Sequence, residues 1–269
     1  MKSVSLIIKY LLICGIDMNI KTQNEIAELI RVKIKDKLNN YASETNATPF
    51  FSAIFDRETI FMASVMQSLY TSFGMSIYEQ MGVILARSNG WMAERQYSLQ
   101  GQIDQNTENL ISKLCMSPIP NKLLEIEQIR KSIKPGVRVV DPEGIVDVYL
   151  KRPDGTELYV DITTVKPNLK EFRSMRRKML RWCALRMSVD RNVKIDTRIG
   201  IPYNPYHPEP YDRWTSGECD PKGDLLVERE LWSAFAGKDV FHEILKIFRG
   251  VGDEMRDDIR KFIIKVGQR

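Results

Sequence analysis

Apolar residues recur at helical spacing through the first half of the chain and at alternating spacing from residue 137 onward. Ile26, Ile30, Val32, Ile34 and Leu38 predict a helix over residues 20–41. Residues 56–85 are dense in Met, Phe, Leu and Ile and predict further helix with a break at Gly74. A stripe of that kind reads as core, so no chemistry is assigned to it. The helical pattern continues over 106–114 and 121–133, where Pro135-Gly136 stops it.

Period-two patterning then predicts strands at 137–140, 145–150 and 157–165, with Asp141-Pro-Glu-Gly144 as a turn, and a fourth strand at 193–201. A basic helix at 169–187 separates the third strand from the fourth. An aromatic, proline-rich loop follows at 203–214, and residues 225–264 return to helix with breaks at Gly237 and Gly250. The fold class is α/β (α+β): a small mixed sheet flanked by helices, with one long crossover, a helical N-terminal half and a helical C-terminal region. No repeat or linker interrupts it, so residues 18–269 read as one domain, helical over 18–133, carrying the sheet, basic helix and loop over 134–215, and helical over 216–269. Residues 1–17 read as a leader, disordered or packed, upstream of a start at Met18.

Composition changes this picture little. At 269 residues, 43% hydrophobic and 28% charged, the chain can bury a large core. The net charge of +5 is mild, so any nucleic-acid contact must come from local clustering. Cys14, Cys115, Cys183 and Cys219 form no C-x-x-C pair, and only His207 and His242 could join them, which argues against a zinc site and for a reduced, cytoplasmic chain. The apolar stretch at 5–16 carries Lys9 and is too short to span a bilayer, with a membrane anchor as the lesser alternative.

The candidate chemistry lies at 145–166. Pro153-Asp154-Gly155 suits a three-residue hairpin loop, with Gly in the left-handed position. If Arg152 faces Thr156, counting back along both strands sets Asp147 opposite Asp161, with Cβ atoms about 5 Å apart. Two like charges so placed in apolar strands need compensation. A divalent cation would supply it and would also lower the pKa of bound water; aspartates facing solvent at a sheet edge, or paired with arginines, are the plain alternative. Pro153-Asp154 resembles the opening of a nuclease motif, but it is the turn itself.

These residues resemble the PD-(D/E)xK nuclease fold, in which acids on adjacent strands hold metal, a carbonyl between the second acid and a Lys completes the shell, and that Lys assists catalysis. The resemblance assigns metal to Asp147, Asp161 and the carbonyl of Ile162. More specifically, Val160-Asp-Ile-Thr-Thr-Val-Lys-Pro-Asn168, the stretch Asn204-Pro-Tyr-His-Pro-Glu-Pro-Tyr-Asp-Arg-Trp214 and Gln67-Ser-Leu-Tyr-Thr-Ser-Phe-Gly74 resemble the TdeIII family of type II restriction endonucleases. That likeness implies Mg²⁺-dependent cutting of double-stranded DNA at a short palindrome of the GGNCC type, beside a protecting methyltransferase. One departure stands out: Thr163 occupies the place of the usual Lys. Lys166 is about 16 Å along an extended strand from Asp161 and on the other face, and Lys151 is about 13 Å toward the hairpin tip from Asp147. Either Thr163 orients water, or a lysine comes from elsewhere, or the chain is an inactive DNA-binding protein on a nuclease fold. An additional acid from the helix before the sheet would be Glu125 or Glu127, although a solvated helix face also explains them.

The basic helix sets Lys170, Arg173, Arg177 and Arg181 in one stripe, with Arg176 and Lys178 alongside. Like charges at this spacing repel unless an anion neutralises them, and a phosphate backbone is such an anion. With Lys166, and with Asn204, His207 and Arg213 of the stiff loop reaching base edges, they form the expected DNA surface; a solvated helix face and a loop whose tyrosines pack against the core are the plain alternatives. The loop also resembles an amino-methyltransferase signature, but the chain has no F-x-G-x-G cofactor loop. Two strands of a palindrome need two sites, which predicts a homodimer, with part of its interface on the helical N-terminal half.

Overall fold

In the computed structural model, which describes residues 18–41, 48–72 and 76–267, the hairpin forms as its turn chemistry predicts. Strands β2 (Val140–Lys151) and β3 (Glu157–Ile162) run antiparallel with Tyr149 opposite Tyr159 and Val148 opposite Val160. Arg152 N donates to Thr156 O at 2.9 Å, and Gly155 takes φ +81°, a left-handed value that a side chain would resist. Asp154 is spent on the turn, accepting from Thr156 N at 2.9 Å.

The predicted crossover follows. Helix α7 (Leu169–Val189) connects β3 to β4 (Ile195–Ile201), which pairs parallel to β3. Asn168 and Glu171 form a reciprocal capping box at the start of α7. Two strands were not anticipated. An antiparallel edge strand, β1 (Met92–Gln100), pairs with β2, and a short parallel strand, β5 (Leu225–Val227), follows β4, giving the order β1-β2-β3-β4-β5. The expected strand at 137–140 contributes only Val140, because pairing with β1 draws the expected turn at 141–144 into β2.

Helices α1 (Ile20–Asn40), α2 (Pro49–Ser52), α3 (Arg57–Ser72) and α4 (Tyr78–Ser88) precede the sheet, α5 (Gln105–Cys115) and α6 (Lys122–Ser132) follow β1, and α8 (Arg229–Ala236) and α9 (Phe241–Gly267) end the chain. Gly237 caps α8 in the left-handed conformation, as expected, whereas Gly250 lies inside the continuous α9. Gly74 and residues 1–17 lie outside the described residues. One face of the sheet packs on α1, α4, α8 and α9 through residues such as Ile26, Met81, Val160 and Phe235; the other packs on α7 through Tyr159, Trp182 and Leu185. None of the described helices is long and apolar enough to cross a membrane.

Candidate active site

Beyond Val148 and Val160 the ladder between β2 and β3 ends, and a side chain takes over where the backbone bond would have been. Asp147 Oδ2 accepts from Ile162 N at 2.8 Å. The carboxylates of Asp147 and Asp161 thereby come together at the splayed end of the hairpin. Asp161 is 8% exposed. Burial, reinforced by the adjacent Asp147, pushes its carboxyl up to about 6, against the opposing pull of Lys178.

Lys178 is the residue that sequence reasoning left among the DNA-facing cations. Helix α7 crosses back over β3, and Lys178 Nζ lies 2.5 Å from Asp161 Oδ1 and 5.0 Å from the centre of the Trp182 ring. The ring and the carboxylate together fix the ammonium beside Asp161. Thr163 is half-buried, and its N–H continues the parallel ladder by donating to Gly200 O at 3.0 Å. Lys151 stays at the hairpin tip, 3.9 Å from Glu157, and Lys166 is exposed, 5.6 Å from the Tyr206 ring centre.

A third acid also arrives from an unexpected element. Glu79, buried in the first turn of α4, accepts from Arg95 Nε at 3.0 Å and from Gln96 Nε2 at 3.1 Å, and the same Gln96 nitrogen donates to Asp147 Oδ1 at 3.3 Å. Burial raises the pKa of Glu79, and the charge of Asp147 adds to the rise. The signal for it was a carboxylate on the apolar face between Ile77 and Met81, inside the stretch to which no chemistry had been assigned.

Glu125 and Glu127 are not brought to this cluster. Glu125 is buried in an ion pair with Arg176 at 2.6 Å, and Glu127 sits at the surface against Arg130 at 3.3 Å. The same pairing corrects the reading of the basic helix. Arg176 is 2% exposed and holds the carbonyls of Leu114 and Glu218 besides Glu125. Arg181 is buried among Glu108, Asp141 and Glu143. Both are cross-braces of the fold and cannot meet a phosphate. Arg177 pairs with Glu108 at 3.2 Å and Arg173 with Glu218 at 3.0 Å, but both keep solvent exposure, and Lys170 is exposed.

The 203–214 loop is anchored to the segment that follows β3. Arg213 Nε donates to Pro167 O at 2.8 Å, Thr215 Oγ1 to the same oxygen at 3.1 Å and Tyr211 OH to Val165 O at 3.2 Å. Asn204 Nδ2 donates to Glu209 O at 2.7 Å. Asn204 and Arg213 therefore brace the loop from within, while His207 and Trp214 project outward.

The site suits a hard divalent cation. Its donors are oxygens: the carboxylates of Asp147 and Asp161, with the Ile162 carbonyl adjacent in sequence. Mg²⁺ is typically bound through one or two carboxylates while keeping several waters. Among the described residues no three His, Cys, Asp or Glu side chains form a ready-made metal set; Glu79 reaches Asp147 only through Gln96. Cys115, Cys183 and Cys219 are free thiols.

Comparison with known proteins gives a consistent result. The model of the family described as type II restriction endonuclease, HinfI, matches residues 18–252. Among curated proteins, the type II restriction enzyme HgiCII of Herpetosiphon aurantiacus is 22% identical over 83% of this chain and 84% of its own length. HgiEI of the same organism is 23% identical over 80% of this chain and 81% of its own. The type II restriction enzyme MjaII of Methanocaldococcus jannaschii is 28% identical over 68% of this chain and 53% of its own length.

Proposed function

This chain belongs to the HinfI family of type II restriction endonucleases, and from that premise we propose that it hydrolyses double-stranded DNA with Mg²⁺ held by Asp147, Asp161 and the Ile162 carbonyl. The observation that carries this reading is the convergence of two carboxylates and one lysine at the splayed end of a hairpin. When bound, the cation supplies Lewis acidity and a more acidic water. The chain's own residues supply the rest. Asp147 and Asp161 present their oxygens from adjacent strands, held at a fixed separation by the hairpin register. Lys178 presents a cation beside Asp161, where it can orient the attacking water and stabilise the charge that develops on the phosphate. It takes the role that Thr163 cannot, so the loss of the usual strand lysine does not favour an inactive binding protein.

Exposed cations supply the DNA surface: Lys166 and Lys170, with Arg173 and Arg177 on the accessible side of α7 and His207 at the loop tip. The TdeIII-like strings support a palindrome of the GGNCC type, guarded in the cell by a methyltransferase of the same specificity. A palindrome calls for two copies. Phe50, Phe51, Ile54 and Tyr70, on and between α2 and α3, are all exposed, and they support a homodimer interface on the helical N-terminal part.

Incubation with plasmid carrying GGNCC sites tests the reading. Discrete fragments are expected with Mg²⁺ and intact plasmid with EDTA. Retarded but uncut DNA at every Mg²⁺ concentration would overturn hydrolysis, and fragments from plasmid lacking the sites would overturn the specificity.

A further inference from the structure

Gln96 has a backbone φ of +48°, although it is neither Gly nor Asn and lies in the middle of β1. Such a conformation is rare for a long side chain and persists only where the surroundings impose it. Its effect is visible in the packing. Ala93 belongs to the core under α4, whereas Leu99, with Tyr97 beside it, packs with Trp182 of α7. These residues share parity, so a regular strand would keep them on one face. Strand β2 changes face at the matching point: Val148 lies in the first cluster and Val146 in the second. Pairing of Arg95 with Val148 and of Tyr97 with Val146 sets Gln96 across from the residue between them, Asp147.

The side chain at this joint holds two acids. One nitrogen, Nε2, donates to Glu79 Oε2 at 3.1 Å and to Asp147 Oδ1 at 3.3 Å. The other oxygen of Asp147 accepts from Ile162 N, so its carboxylate is fixed at both ends. We propose that Gln96 is a positioning residue that aims Asp147 at the cation and couples it to Glu79. This rests on the metal reading above. Without the amide, the Asp147 carboxylate is held by Ile162 N alone, and partners of this kind typically contribute about 10- to 100-fold to metal affinity.

The test separates backbone from amide. Gly accepts the left-handed conformation and Asn tolerates it, so Gln96→Gly and Gln96→Asn both keep the joint while losing the reach to the acids. Titration of the DNA-free protein with Mn²⁺, followed through the electron paramagnetic resonance of the free ion, is expected to show binding weakened about 10- to 100-fold in both variants. Their melting temperatures should be no lower than that of Gln96→Ala, which loses the amide and keeps the strain. Wild-type Mn²⁺ affinity in either Gly or Asn variant would overturn the inference, as would a Gly variant that melts below the Ala variant. Mn²⁺ binding that is identical in the wild type and Asp147→Asn would overturn the metal reading itself, and the role of Gln96 with it.

Discussion

Asp147→Asn is expected to lower cleavage by about 10³-fold, the scale of several kcal/mol of charge stabilisation supplied through the cation, while leaving the fold at pH 8 as stable as the wild type or more so. The two effects have one cause. Asp161 is pushed up to about 6 by burial and by the neighbouring carboxylate, so the folded state holds its proton more tightly than the unfolded chain does, with an ordinary value of 3.8. A group raised in this way costs the folded state stability as pH rises from about 4 to about 6, and the cost is complete above 6. Asparagine removes the neighbouring charge and still offers an oxygen to Ile162 N, at the loss of the longer, exposed bond that Asp147 Oδ1 accepts from Gln96. The gain, on the order of 1 kcal/mol, should be present at pH 8 and vanish below pH 4, where Asp161 is protonated in both states. Denaturant unfolding at the two pH values, alongside a cleavage assay, checks both arms. Retained cleavage, or a clear loss of stability at pH 8, would contradict the proposed role of Asp147.

Lys178→Met should lower kcat by about 10²- to 10³-fold, the effect of removing one donor from a transition state, with DNA affinity changed far less. The lysine sits 2.5 Å from Asp161 and against Trp182, so in the proposed role it would act on the reacting phosphate and not on the bulk of the backbone contacts. Thr163→Ala should be nearly silent by comparison. Thr163→Lys, which would raise cleavage if the strand position were defective, should not raise it here, because that role is already filled. In the Lys178→Met background the same Thr163→Lys change should recover part of the loss. Single-turnover kinetics distinguishes these outcomes. A Lys178→Met enzyme with wild-type kcat, or a several-fold gain from Thr163→Lys alone, would return the role to the strand position.

The hairpin was legible because its turn is encoded locally: Pro153-Asp154-Gly155 fixes the loop, the loop fixes the register, and the register places Asp147 and Asp161 together. The start of α7 at residue 169 was legible from its periodicity, whereas its end runs on to Val189, two residues past the expected 187. Strand β1 was not, since Met-Ala-Glu-Arg-Gln-Tyr-Ser-Leu-Gln is rich in polar residues, has few apolar positions to alternate, and changes face at Gln96. Glu79 and Lys178 reach the acids only through the packing of α4 and α7 on the sheet, which no local pattern records. Arg176 and Arg181 misled for the opposite reason. A charge run at helical spacing looks alike whether it faces a phosphate backbone or the protein's own carboxylates, such as the buried Glu125 and the half-buried Glu108, and here most of the neutralising anions belong to the protein.

The central claim is that one divalent cation sits between strands β2 and β3. Anomalous diffraction from crystals soaked in Mn²⁺ tests it most directly. A peak bounded by the carboxylates of Asp147 and Asp161 and the Ile162 carbonyl, absent from Asp147→Asn crystals, is the predicted result. At saturating Mn²⁺, density that leaves Asp161 on Lys178 and Asp147 on Ile162 N, with no peak between the carboxylates, would contradict it.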